Sequence, residues 1–83
     1  MNVELKILTR NDNTALPRIL RIVTRQGYCV KKLVMQPLAD DSKLELLLLL
    51  DTGETPLRLI KLLQKQIVVF DIRAERDNIP LAV

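Results

Sequence analysis

The sequence predicts an α+β fold of the ferredoxin-like βαββαβ type, a four-stranded antiparallel sheet with two helices on one face. Three observations predict it. Four runs alternate apolar residues with period two or are rich in β-branched residues, and two others repeat them at helical spacing. The middle two strands are separated only by the turn-forming run Ala39 to Ser42, short enough for a hairpin. The chain has 83 residues, room for one domain. With right-handed crossovers, that order closes into one sheet with both helices on the same side.

Each element has a local reason. Val3, Leu5, Ile7 and Thr9 alternate with Glu4, Lys6 and Leu8, a strand pattern. Asn11-Asp12-Asn13-Thr14 is a turn and capping cluster. Leu16, Ile19, Leu20 and Val23 then follow helical spacing. Thr14 as N-cap places Pro17 at N3, where its missing N–H costs nothing, and Gly27 suits the position just past the helix end. Tyr28 to Leu38 reads as the second strand and Lys43 to Asp51 as the third. Leucine favours helix, but Asp40-Asp41 and Thr52-Gly53 bracket too short a run for one. Thr55 followed by Pro56 predicts an N-cap and N1 pair, with Leu59, Ile60 and Leu63 as the buried face of the second helix. Ile67 to Ala74 is the fourth strand. Residues 1–76 form the domain and 77–83 a short tail on this reading.

Composition removes whole classes of function. An apolar fraction of 48% is ordinary for a folded domain. Cys29 is the single cysteine, so no disulfide framework exists, and one thiol without a secretory leader implies a reducing, cytoplasmic setting. The longest apolar run, Leu46 to Leu50, is far short of a membrane span. With no histidine there is no Ser-His pair, no imidazole base and no histidine-held zinc. Asp40-Asp41 reads as turn chemistry rather than a metal pair, and Cys29 has no histidine to activate it. No catalytic or metal-binding residue is therefore assigned.

Parity divides the sheet. Val3, Leu5, Ile7, Leu44, Leu46, Leu48, Leu50, Val68, Phe70 and Ile72 should face the helices. Glu4, Lys6, Leu8, Glu45, Leu47, Leu49, Val69, Asp71 and Arg73 should face outward, which puts an apolar patch with a charged rim on the open face. The helices are one-sided in charge. Arg18, Arg21 and Arg25 on the first, and Arg58, Lys61 and Lys65 on the second, stand at i, i+3 and i+7 with no acid among them. Both the Leu8/Leu47/Leu49 patch and the basic helix face are candidate docking surfaces, the alternative being ordinary solvated surface. RNA reading on the open sheet would need stacking aromatics, and only Tyr28 and Phe70 exist, so no nucleic-acid partner is expected.

The stretch Leu5 to Leu33 resembles the ACT domain: a strand, an Asn-containing loop at Asn11, then Ala15-Leu16-Pro17-Arg18-Ile19, then Arg25-Gln26-Gly27-Tyr28 closing the helix. Within that superfamily the chain is similar to the small regulatory subunit of acetolactate synthase, including Leu63-Gln64-Lys65-Gln66-Ile67-Val68-Val69 before the last strand. The likeness spans residues 1 to about 75, and the chain resembles the short, single-domain type of isozyme II.

The resemblance implies a non-catalytic subunit that activates a large catalytic subunit in branched-chain amino acid biosynthesis. It also implies a homodimer of paired ACT domains. Cofactors would sit on the catalytic partner (thiamine diphosphate, magnesium and, in some, FAD) and none on this chain. The family's effector site would map to Asn11, Thr14, Ala15, Leu16, Cys29 and Val30. Thr14 stands where a glycine is usual and Cys29 where an asparagine is usual, which predicts weak or no valine feedback. Two other readings stay open: a free-standing ACT domain that senses an amino acid, and an interaction module unrelated to amino acids.

Overall fold

The computed structural model describes residues 2–81. Its elements are β1 (Asn2–Arg10), α1 (Ala15–Arg25), β2 (Val30–Pro37), β3 (Lys43–Asp51), α2 (Leu57–Gln64), β4 (Val69–Arg76) and β5 (Ile79–Pro80). The sheet order is β2-β3-β1-β4-β5, with every neighbouring pair antiparallel. The first four strands take the ferredoxin-like order that the sequence predicts.

The fifth strand is a correction to the four expected. Asp77 and Asn78 adopt φ of 52° and 64°, the left-handed pair that a two-residue hairpin of type I′ requires. The chain turns back there, Ile79 pairs with Arg76 and Pro80 with Glu75, and the Leu81 N–H donates to the Ala74 carbonyl at 2.8 Å. Part of the expected tail is thus attached to the sheet. Residues 82 and 83 lie outside the described residues.

The core forms where parity puts it, except at Phe70 and at Val69, the latter expected to face outward. Val3, Leu5, Ile7, Leu46, Leu48 and Leu50 are fully buried against Ile19 and Val23 of α1 and Leu59, Ile60 and Leu63 of α2. Phe70, expected inside, is 55% exposed. The reason is a β-bulge. Asp71 pairs with Leu8 and Val69 with Thr9, so Phe70 is an extra residue in β4 and the alternation slips there. Val69 packs against the core instead, and Phe70 turns out beneath the Lys43 ammonium, 5.4 Å from the ring centroid.

Helix ends follow their caps. Thr14 is the N-cap of α1, as read from the sequence. At its C-terminus the Gly27 N–H donates to Thr24 and the Tyr28 N–H to Val23, with Gly27 at φ 85°. This is a Schellman closure, and its left-handed residue is the glycine. α2 begins one residue later than expected. The carbonyl of Pro56, not Thr55, accepts the first helical bond, from the Ile60 N–H at 3.0 Å, so Pro56 is the cap.

β2 differs from the other long strands. Leu33 and Met35 pair with Leu48 and Leu46 and therefore lie on the helix side of the sheet, yet they are 39% and 52% exposed. Val34, on the opposite face, is also 39% exposed. β2 is a sheet edge that the helix layer leaves bare, with Leu33 and Met35 on the helix side and Val34 between Lys32 and Gln36 on the other.

Candidate functional site

The loop joining β1 to α1 is built from side-chain bonds to backbone. The Asn11 N–H donates to the Ser42 carbonyl at 3.1 Å, and the Asn11 amide Nδ2 donates to the Asp41 carbonyl at 2.8 Å. Asn11 therefore ties the loop to the β2–β3 hairpin, and Asp41 holds φ of 57° at that contact. The amide faces the hairpin rather than the start of α1.

Asp12 dominates the helix start. Its Oδ1 accepts from the Thr14 N–H at 2.8 Å and from the Thr14 hydroxyl at 2.6 Å, and its Oδ2 accepts from Arg10 Nε at 2.7 Å. These bonds favour the ionised form, the Thr14 hydroxyl most, and hold the carboxyl well below the usual carboxylate range. The Ala15 N–H donates to the Asp12 carbonyl at 3.3 Å and Pro17 has no N–H. In the first turn of α1 this leaves the Leu16 N–H free to meet an incoming carboxylate. A helix start with open donors attracts anions, but here the carboxylate of Asp12, itself paired with Arg10, already takes the Thr14 N–H. Sequence reasoning placed Asp12 only in a turn cluster. The signal for its role was Asp two residues before Thr at a helix start, an Asx turn.

Thr14 is exposed and its hydroxyl is spent on Asp12, while Ala15 is fully buried and Leu16 packs against the core. Cys29 is exposed, and its carbonyl accepts from the Asp51 N–H at 3.0 Å. Val30 pairs with Leu50 and is half-buried. Within one chain these two groups of residues do not meet. Asn11 follows the Arg10–Lys43 end of the sheet, whereas Cys29 and Val30 lie at the Asn2–Asp51 end. Eight strand residues separate the ends, about 25 Å.

The two candidate docking surfaces differ in their electrostatics. On the open face Leu8, Leu47 and Leu49 are half-buried among charges of both signs. Lys6 reaches Glu75 at 3.4 Å and Arg73 reaches Asp71 at 3.3 Å. A shallow concavity of about 390 Å³ opens there over Leu8 and Leu38, rimmed by Lys6, Glu45, Asp71 and Arg73. Glu4 and Glu75 face each other across the same sheet, and the Lys6 ammonium offsets that repulsion. On the helix face Arg18, Arg21, Arg25, Arg58, Lys61 and Lys65 are all exposed, and none has an ion-pair partner among the described residues. The described residues hold no cluster of three or more metal-ligating side chains.

This arrangement matches known structures closely in shape. The crystal structure of the ACT domain from GTP pyrophosphokinase of Chlorobium tepidum superimposes with a TM-score of 0.75, covering 90% of this chain and 97% of that one at 17% identity. The fold is that of an ACT domain. The solution structure of the same Chlorobium domain gives a TM-score of 0.73 at 15% identity, covering 93% of this chain and 88% of that one. The C-terminal domain of the MgtC protein from Mycobacterium tuberculosis gives 0.68 at 18% identity, covering 89% of this chain and 84% of that one. No family model and no curated protein matches the sequence. None of the described helices of this ACT fold is long and apolar enough to cross a membrane.

Proposed function

We propose that this ACT-fold chain is a regulatory small subunit of acetolactate synthase. It carries no catalytic residues of its own, binds the large catalytic subunit and favours its active conformation. Two observations support the reading. The Ala15-Leu16-Pro17-Arg18-Ile19 and Gln26-Gly27-Tyr28 stretches that resemble the ACT domain fall on α1 and its closure, inside an ACT fold, and Leu63 to Val69, the stretch similar to the small regulatory subunit of acetolactate synthase, leads from α2 into β4.

The bare β2 edge supports a homodimer. Its apolar side chains and outward backbone groups suit a second β2 running antiparallel. That pairing would set Cys29 and Val30 of the second copy beside Pro37, at the sheet end that carries the β1–α1 loop. The six effector-site residues would then meet across the dimer, although they do not meet within one chain.

The Asp12 carboxylate supports weak or absent valine feedback. An amino-acid carboxylate arriving at the start of α1 would find the Thr14 N–H and hydroxyl already bonded to Asp12, and only one free N–H. A purely sensing ACT domain would need that position open.

Co-expression with the large catalytic subunit of acetolactate synthase tests the reading. Co-purification and raised acetolactate output, unchanged by millimolar valine, are expected. Activation requires tighter binding to the active state than to the inactive one, so a chain that co-purifies without changing output would refute the activating role. Calorimetry of the isolated chain with branched-chain amino acids should show no heat of binding, and tight binding would favour the sensor instead.

A further inference from the structure

We infer that the outer face of the helix layer docks an acidic protein surface, and that this face, rather than the open face of the sheet, is the contact with the regulated enzyme. The inference rests on the regulatory reading above for the identity of the enzyme, but not for the chemistry of the partner.

The argument starts from where the charges lie. α1, α2 and Lys65, which follows directly on α2, carry six cations and no acid. The rest of the chain holds seven cations against all ten carboxylates, so a helix layer of +6 sits on a body of −3. A modest net charge of +3 conceals a strongly polarised molecule. Such a molecule is oriented by an acidic partner before contact, and its basic side arrives first.

Helical geometry puts the cations on the outer surface. On α2, Arg58, Lys61 and Lys65 lie opposite the buried Leu59, Ile60 and Leu63. On α1, Arg18, Arg21 and Arg25 form one stripe away from the buried Ala15, Ile19 and Val23. The i to i+7 spacing spans about 10 Å along each axis. Two such stripes side by side fit within the roughly 800 Å² that a protein contributes to an ordinary interface.

The face is better suited to carboxylates on a protein than to the other common polyanions. Four of the six cations are arginines, whose planar fork matches a carboxylate in bidentate fashion. No aromatic stands on either helix to stack a base. A lipid surface is gripped by apolar anchors among the charges, and Leu57 is the single exposed large apolar residue on the two helices among the described residues. The open sheet face is the weaker candidate, because its cations are already neutralised by Glu75 and Asp71 and its leucines are half-covered.

The test compares the full chain with the double variant Arg21→Glu/Lys61→Glu and with Leu47→Asp. Thermal melts confirm that each variant is folded. Affinity is measured for the catalytic subunit of acetolactate synthase, and separately for poly-L-glutamate, poly-U and phosphatidylserine vesicles, at low and physiological salt. The charge-reversed variant should lose at least about tenfold in affinity for both the enzyme and poly-L-glutamate, with a flatter salt dependence, while Leu47→Asp stays near the wild type. If the wild type binds the enzyme and charge reversal changes nothing while Leu47→Asp abolishes binding, the inference falls and the functional reading stands. If the wild type does not bind the enzyme, the functional reading falls. The polyanion arm then decides the face: preference for poly-L-glutamate lost on charge reversal supports it, and preference for poly-U or vesicles overturns it.

Discussion

Replacing Leu33 and Met35 together by glutamate should turn the proposed dimer into a monomer without unfolding it. Leu33, Val34 and Met35 keep 39%, 39% and 52% of their surface in contact with solvent. Full burial of such a side chain is worth about 1.5–3 kcal/mol, so covering the exposed remainder yields roughly 0.6–1.5 kcal/mol each. Two copies contribute six such side chains, on the order of 4–9 kcal/mol before the cost of association. The double substitution removes four of the six and places like charges opposite one another. A loss of roughly 3–5 kcal/mol corresponds to a dimer about 10²–10⁴ weaker. Stability of the protomer should barely move, since neither side chain belongs to the core. Sedimentation velocity over a range of protein concentrations reads the association, and urea unfolding reads the protomer. A variant that stays dimeric at micromolar concentration would refute the assignment of β2 as the pairing edge. A wild-type chain that stays monomeric at high concentration would refute the dimer itself.

The other predictions concern the loop, the core and the helix end. Asp12 has a depressed pKa, so its bonds to Thr14 and Arg10 stabilise the fold above the ordinary aspartate range and lose that effect as pH falls through it toward the lower folded value. The melting temperatures of wild type and Asp12→Asn should therefore differ at pH 7 and converge in strong acid; a gap that widens on acidification would contradict this. Leu48→Ala removes a fully buried side chain from the middle of the sheet and should cost about 2–5 kcal/mol in urea unfolding. That is a large share of the roughly 4–12 kcal/mol that a domain of this size possesses. Gly27→Ala meets no atom within 4 Å, so its cost is the left-handed backbone alone, about 1–2 kcal/mol.

Much of the fold was legible because its rules are local. β1 and β3 alternate without interruption, and each residue assigned to their core face is buried. The failures occur where a tertiary event breaks a local rule. No property of Phe70 announces a bulge; the slip arises from the way β4 meets Leu8 and Thr9. The β5 hairpin did carry a signal, Asp77-Asn78, but one easily read as an unstructured end. The candidate site was harder. Asn11 and Thr14 could be picked out by resemblance, yet their bonding depends on Asp12 and on the distant Asp41 carbonyl. The exposure of Leu33 and Met35 was invisible to periodicity, because it follows from β2 being an edge, which is a property of the whole topology.

The two margins of the sheet are not alike. At the β4 margin, Pro80 in β5 brings no N–H to a ladder, and the bulge at Phe70 distorts the stretch that β5 leaves uncovered. Strand addition is blunted there, while β2 stays open. A sheet with two open margins can add copies head to tail without limit, whereas one with a single open margin joins its like and is then finished. On the proposed β2 pairing, the fifth strand, two residues long, would act as a terminator: it would help limit growth to a closed pair and keep a leucine-rich chain from becoming a filament.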